Sequence, residues 1–383
     1  MKYSLIALAF TVMAFSSLES IAQVKGHNTV LQKILDKACT KKNNTVVGIS
    51  LSVKSPELGM DFKGSCGYDG IHKTTPVNVE QPFRIASLTK VFVASAILRL
   101  HEQQLISIED PITKYVSDAH IKLLRDGGYI PEDITVRHCL NHTSGLYDYA
   151  LGGEEYIAEA KKDEKKRWTR TEQIKFAMDN GKPHAPPGQE EHYSDTGYIL
   201  LGEILERQTH SGLAESLRTL LKFDALGMSS TYLESLEARP EGLLPNVKRY
   251  MGELDASNWD NSVDLYGGGG LVSTSEDLTL FLQALFNGKI FEKDDTLDIM
   301  LLKKDYSPEG DVLPNQRLGF TSIIGEKTGL TVYLHTGFWG TVFIHLPKYN
   351  CSLAMNYTYD GDSEALQQTI DYVLEQGKKE MGK

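Results

Sequence analysis

Three short stretches of this 383-residue chain carry side chains that could make and break bonds. The first is Ser87-Leu88-Thr89-Lys90, at the entrance of the apolar run FRIASLTKVFVASAILRLHEQQL. Residues three apart share a helix face, so the Lys90 amine would lie beside the Ser87 hydroxyl. Ser87 would fall in the first turn, where the helix dipole favours developing negative charge. An ammonium wrapped by Val91, Phe92, Val93 and Ala94 would be poorly solvated, which predicts a depressed pKa and a usable base. A serine beside such a base is an activated nucleophile. The plain structural alternative is a capping serine and a lysine reaching to solvent; Ser-x-x-Lys occurs once in the chain.

The second stretch is PPGQEEHYSDTGYILLGEILE. Pro186, Pro187 and Gly188 predict a turn and TGYILLGEILE a helix, which leaves Tyr193 and Asp195 on a loop facing a cleft. A phenol held near an amine can shuttle a proton; otherwise Tyr193 packs and Asp195 caps the helix. The third, GEKTGLTVYLHTGFWGTVFIHLP, holds both Lys327-Thr328-Gly329 and His335-Thr336-Gly337. The former falls where a hairpin turn is expected, so its lysine is expected in solvent, whereas the latter ends a strand whose backbone could flank a cleft. Other groupings are weaker. His184, Glu190, Glu191, His192 and Asp195 crowd a Pro-Gly loop without coordination geometry, and His101-Glu102 lacks the second histidine of a zinc motif. NHTSGLYD places His142 and Ser144 in a turn, and YGGGGLVST suggests a tight backbone approach at a cleft rim rather than a phosphate loop.

The elements that must hold these residues can be read from periodicity. VVGISLSVK and GMDFKGSCGYDG predict two strands near the start, and LGFTSIIG, LTVYLHTG, GTVFIHLP and CSLAMNYT four more near the end. Ser87 to Leu105 is apolar nearly all round, which marks a buried helix. Residues 108–262 mix helical periods with Gly and Pro breaks and no clear strand pattern, and SEALQQTIDYVLEQGKK closes the chain as a helix. The expected fold is α/β in the α+β sense. An antiparallel sheet flanked by helices is built from both termini (about 23–86 and 265–383), and a mostly helical lobe (about 87–264) is inserted in it. At about 150 residues per domain, two lobes suit the length.

Residues 1–22, with Lys2, the apolar run Leu5–Phe15 and small residues after it, have the order of a secretory signal peptide. No later run approaches the roughly 20 apolar residues of a spanning helix, so the expectation is an exported protein, periplasmic or secreted, without a stable membrane anchor. The net charge of −11 and the lack of a basic block argue against nucleic acid as a partner. Cys39, Cys66, Cys139 and Cys351 are widely spaced, so buried free thiols are the default, with one disulfide open to form after export.

Ser-x-x-Lys, then Tyr-Ser-Asp, then His-Thr-Gly on a late strand is an order that resembles the serine β-lactamase-related family. That family includes class C β-lactamases, D-Ala-D-Ala carboxypeptidases, D-amino-acid peptidases and several esterases. FRIASLTK, ITVRHCLNHTSGL, PPGQEEHYSDTGYILLGEILE, GGGGLVSTSEDLTLF and HTGFWGT extend the resemblance over nearly the whole chain after residue 22. It implies that Ser87 is acylated, with Lys90 and Tyr193 jointly moving its proton. Asp195, His335, Thr336, Gly337 and Phe338 would meet the substrate, and the backbone N–H groups of Ser87 and Phe338 would form an oxyanion hole. No metal or cofactor is implied. Two departures stand out. Asp195 replaces the family's common asparagine, exchanging a donor for an acceptor that could instead hold Lys90 charged. His335 replaces the common lysine, and a histidine near its reference pKa is mostly neutral at pH 7. The expected substrate is a small molecule or peptide, first a D-amino-acid peptide such as a cell-wall peptide. A carboxylesterase or weak β-lactamase is the alternative, and a catalytically silent ligand-binding homologue the alternative of another class.

Overall fold

A computed structural model describes residues 24–41, 46–302, 315–326, 328–359 and 363–381. The expected signal peptide (1–22) and Lys327 lie outside the described residues. Six strands make one antiparallel sheet: β1 (Gly48–Ser55), β2 (Met60–Gly67), β3 (Thr321–Ile324), β4 (Thr331–Gly337), β5 (Thr341–Leu346) and β6 (Cys351–Tyr357). Their order in space is β2-β1-β6-β5-β4-β3, so the first hairpin docks on the last strand and both ends of the chain build the sheet, as expected. The seam pairs Ile49 with Tyr357 and Val53 with Leu353. At the β2 edge, Met60 and Phe62 are buried while Asp61 and Lys63 face water, an alternation that keeps an exposed edge polar.

Five helices back the sheet or position the site: α1 (24–40), α2 (Thr89–Glu102), α3 (Asp195–Thr209), α4 (Ser275–Phe286) and α5 (Ser363–Met381). Side chains alternate across β1, so Ile49, Leu51 and Val53 pack with Leu31 and Leu35 of α1 and Val373 of α5. The small Ser52 on the other face lets α4 come close, and its hydroxyl meets that of Thr279 at 2.8 Å. In the stretch expected to be mostly helical, helices supply most of the regular structure but turns and loops make up about half of the residues, and it also holds Tyr232–Leu233 and a small hairpin, Tyr250–Met251 with Leu254–Asp255. These pieces are too short to register as a period-2 pattern.

Helix α2 is the axis of the second core. Every residue in it except His101 is buried, and Phe92 stacks on Phe281 with centroids 3.9 Å apart. At about 1.5–3 kcal/mol per fully buried large apolar side chain, this packing fixes α2 firmly. It begins at Thr89 and ends at Glu102, shorter than the expected Ser87–Leu105, because Ser87 lies in a preceding 3₁₀ turn, Ala86–Leu88.

Of the four cysteines, Cys39 and Cys66 form a disulfide tying α1 to β2, while Cys139 and Cys351 are buried free thiols. Burial pushes both free thiols up to about 12, so they should be inert. In a thiol titration, no group should react in the folded protein and two should react in denaturant. The bridge closes a sequence separation of 27, for which loop entropy gives about 3–4 kcal/mol. Cys39→Ser/Cys66→Ser should therefore lower unfolding stability in urea by about 2–4 kcal/mol, and an unmoved midpoint would contradict this role.

Candidate active site

The turn that carries Ser87 is held in an uncommon conformation. Ala86 has φ 47°, a left-handed setting that costs a residue with a β-carbon on the order of 1–3 kcal/mol. Three contacts to the preceding residue hold it: Ile85 N–H donates to Leu271 O (2.9 Å), while Leu88 N–H (3.2 Å) and Thr341 Oγ1 (3.0 Å) donate to Ile85 O. The end of β4 lies directly against this turn. A β-carbon on Gly337 would sit 2.4 Å from Ile85 O and 2.2 Å from Thr341 Oγ1, so glycine is what allows strand and turn to touch.

One turn on, Lys90 is fully buried and its amine finds three acceptors: Ser87 Oγ at 3.0 Å, Gly268 O at 2.7 Å, and Asp195 Oδ1 in a close ion pair. An ammonium has three N–H donors, so its charged form is fully satisfied. This corrects the expectation of a depressed pKa. Burial does pull the amine down, but the Asp195 charge, with a smaller contribution from Asp264, outweighs it and raises Lys90 above an ordinary lysine. The Asp195 carboxylate is only 4% exposed. Of its two expected roles, partner of Lys90 or contact for substrate, the geometry favours the first. Helix α3 is capped by Ser194, whose hydroxyl accepts from Gly197 N–H, rather than by Asp195.

Tyr193 lies just before α3 and donates its phenolic hydrogen to Ser87 Oγ at 2.7 Å. Burial raises the phenol, the Lys90 charge lowers it less, and the result is a protonated tyrosine at neutral pH. Sequence reasoning missed the residue that positions it. His142, in a left-handed turn (φ 60°), stacks on the Tyr193 ring at 4.4 Å. Its Nδ1 accepts from Ser194 N–H (3.1 Å) and its carbonyl from His192 N–H (2.8 Å). Burial first, then the Lys90 charge, keep this imidazole neutral, as an Nδ1 acceptor must be. NHTSGLYD also supplies Asp148, whose Oδ1 accepts from Asp195 N–H at 3.3 Å. Burial and the neighbouring Asp195 charge raise Asp148 to about 7. The only sequence signal for either residue was a polar turn.

An open cleft of about 1070 Å³ joins Ser87 and Tyr193 to His335, Thr336, Gly337 and Phe338, bringing the strand motif to the nucleophile. Thr336 and Phe338 are exposed to it and His335 is half-buried beside them; partial burial first, then the Lys90 charge, lower its imidazole below the ordinary histidine range, so it is neutral at pH 7. The loop between β3 and β4 makes the expected hairpin turn, with Gly329 N–H donating to Gly325 O at 2.8 Å, and its described residues are not among those lining the cleft. The glycine-rich run makes the expected tight backbone approach, since a β-carbon on Gly268 would fall 2.6 Å from Asp195 Oδ1, but it is buried behind Asp195 rather than set at the rim of the cleft.

The chain has counterparts among known proteins. A family model described as Beta-lactamase matches residues 42–378. The chain is 28% identical over 245 residues to a penicillin-binding protein of Bacillus subtilis, covering 61% of this chain and 51% of that protein. It is 26% identical over 260 residues to the D-alanyl-D-alanine-carboxypeptidase/endopeptidase AmpH of Escherichia coli K12, covering 66% and 60%. The matches thus span little more than half the length of these curated relatives. The solved D-amino acid amidase of Ochrobactrum anthropi, complexed with L-phenylalanine amide, aligns with a TM-score of 0.72 at 26% identity, over 92% of this chain and 99% of that one.

Because Lys90 and Asp195 share one buried site, removing one partner should cost far more than removing both. Asp195→Ala leaves an uncompensated buried ammonium and should destabilise by about 3–5 kcal/mol in urea unfolding, whereas Lys90→Met/Asp195→Ala should recover most of that loss. Additive losses would show that the two groups do not interact.

Proposed function

The chain belongs to the Beta-lactamase family, whose members are serine hydrolases, and from that premise we propose that it is an exported hydrolase that cleaves D-amino-acid peptides or amides through an acyl-enzyme on Ser87. The observation that carries this is the Ser87 hydroxyl held between Tyr193 Oη (2.7 Å) and Lys90 Nζ (3.0 Å). In the resting protein both neighbours donate to Ser87 Oγ. Loss of one proton from Lys90 leaves an amine that still donates to Asp195 and Gly268 O and turns its lone pair to Ser87. The serine contact then reverses from N–H···O to O–H···N, and no heavy atom has to move.

Ser87 Oγ can then attack a carbonyl carbon while its proton passes to Lys90. Tyr193 gives its phenolic proton to the leaving nitrogen as the carbon–nitrogen bond breaks, and regains one from Lys90. Water repeats the attack on the acyl ester, with the same two groups running in reverse. Backbone N–H groups at Ser87 and Phe338 would face the oxyanion, where one such donor is worth about 10²–10³ in rate. Neutral His335 offers a substrate carboxylate less than a lysine would, which favours amides and peptides over efficient β-lactam hydrolysis. The likeness to the amidase from Ochrobactrum supports the D-amino-acid substrate class. The Cys39–Cys66 bridge supports export, since disulfides persist in oxidising compartments.

A fluorescent phosphonate probe followed by peptide mass spectrometry should place one label on Ser87, absent in Ser87→Ala. D-Phenylalanine amide and a D-Ala-D-Ala peptide should be turned over faster than nitrocefin, with p-nitrophenyl acetate reporting any esterase activity. Tyr193→Phe should lower kcat/KM by about 10²–10⁴. A label that is missing, or that persists in Ser87→Ala, would overturn the proposal.

A further inference from the structure

Beside the nucleophile, a second hollow of about 470 Å³ reaches from Ser87 to Asp264. Its walls are apolar, formed chiefly by Trp259, Trp339, Met251, Leu151 and Ile157, yet two carboxylates also line it. Asp195 is held by Lys90. Asp264 is not so held: among the described residues, no N–H group or cationic side chain pairs with its carboxylate.

The turn that carries Asp264, Asn261–Asp264, is pinned at each preceding residue. Asn261 Nδ2 donates to Gly270 O (3.2 Å), Ser262 O accepts from Gln173 Nε2 (2.7 Å), and Val263 O accepts from Tyr156 Oη (3.1 Å). Behind the carboxylate lies the glycine loop, so close that a β-carbon on Gly269 would fall 2.0 Å from Asp264 Oδ1. The open side of Asp264 is therefore the hollow. Burial and the Asp195 charge raise it to about 6, which leaves it mostly ionised at pH 7. Around the site, Asp195 and Asp264, with Asp148 partly protonated at pH 7, face the Lys90 ammonium, and the Arg84 guanidinium acts on Asp264 as a weaker influence. A half-buried carboxylate that accepts no hydrogen bond from the described residues and opens on an apolar hollow can take a charge-assisted hydrogen bond from an entering cation.

We propose that Asp264 reads an unblocked ammonium on the acyl part of the substrate, whose apolar side chain packs against Trp259 and Trp339. This rests on the serine hydrolase reading for its meaning in turnover, but the binding site can be tested without turnover. The substrate class narrows to amides or peptides of apolar D-amino acids with a free amine, and an N-acylated substrate lacks the group that Asp264 would pair with.

Trp259 and Trp339 are two of only three tryptophans in the chain, so intrinsic fluorescence reports on the hollow. Ser87→Ala protein should be titrated with 2-phenylethylammonium and with the neutral 2-phenylethanol. The ammonium should bind about tenfold or more tightly, and Ser87→Ala/Asp264→Asn should lose most of that preference, as expected for a charge-assisted hydrogen bond. Ser87→Ala/Asp264→Glu, which keeps the charge, should retain part of it and guards against a folding defect in the first variant. In the active chain, Asp264→Asn should lower the kcat/KM ratio of D-phenylalanine amide over 3-phenylpropanamide by about tenfold, with the loss in KM. Equal binding of the two probes, or a preference that survives Asp264→Asn, overturns the inference. Lack of turnover with the binding preference intact counts against the hydrolase reading and for the ammonium site.

Discussion

The contact on which the rest of the site depends is the buried pair of Lys90 and Asp195. An ammonium with no access to water is tolerable only if its charge is matched and all its donors are used, and both conditions are met by groups far apart in the chain. Satisfying them dictates much of the surrounding structure. Helix α2 must be buried to seal the amine, and α3 must begin where Asp195 can reach it. A glycine is needed at 268 so that the backbone can present its carbonyl without a side chain striking the carboxylate. The strained turn at Ala86 then sets Ser87 over the same amine, braced by strand β4 through Gly337.

The same pair governs the electrostatics of the cleft. The Lys90 charge helps keep His142 and His335 neutral, while the Asp195 charge helps raise Asp148 and Asp264. The result is a cleft with a neutral imidazole on the strand side and surplus negative charge on the side of the apolar hollow. Such a field suits a substrate that brings a cation toward the nucleophile and does not need its carboxylate gripped by a lysine. Fold, protonation and proposed specificity thus stem from one buried charge and the groups arranged to balance it.

Much of this was legible in the sequence because the signals were local. Ser87 and Lys90 are one helical turn apart, Tyr193 comes after a Pro-Pro-Gly turn, and His335-Thr336-Gly337 ends a strand pattern; the structure brings all three to one cleft. The two-ended sheet was legible because β-rich runs cluster at both ends of the chain. What failed was long-range balance. The apolar neighbours of Lys90 correctly implied burial, but the sign of its pKa shift belongs to Asp195, 105 residues away in sequence. His142, Asp148 and Asp264 stand in polar turns with no periodicity, so only their spatial neighbours reveal their roles. The Cys39–Cys66 pairing was undecidable for the same reason, since spacing alone does not say which cysteines meet.

The most direct test of the central claim is the pH dependence of Ser87 acylation in the native chain and in Asp195→Asn. Because Asp195 raises the Lys90 pKa, the free amine forms only as pH rises, and the native acylation rate should climb about tenfold per pH unit through the neutral range. Asparagine keeps an acceptor for Lys90 but removes the charge that outweighs burial, so the variant should reach its plateau at lower pH and exceed the native rate near pH 6–7. Superimposable pH profiles would contradict the claim that the Asp195 carboxylate decides where the Lys90 proton sits.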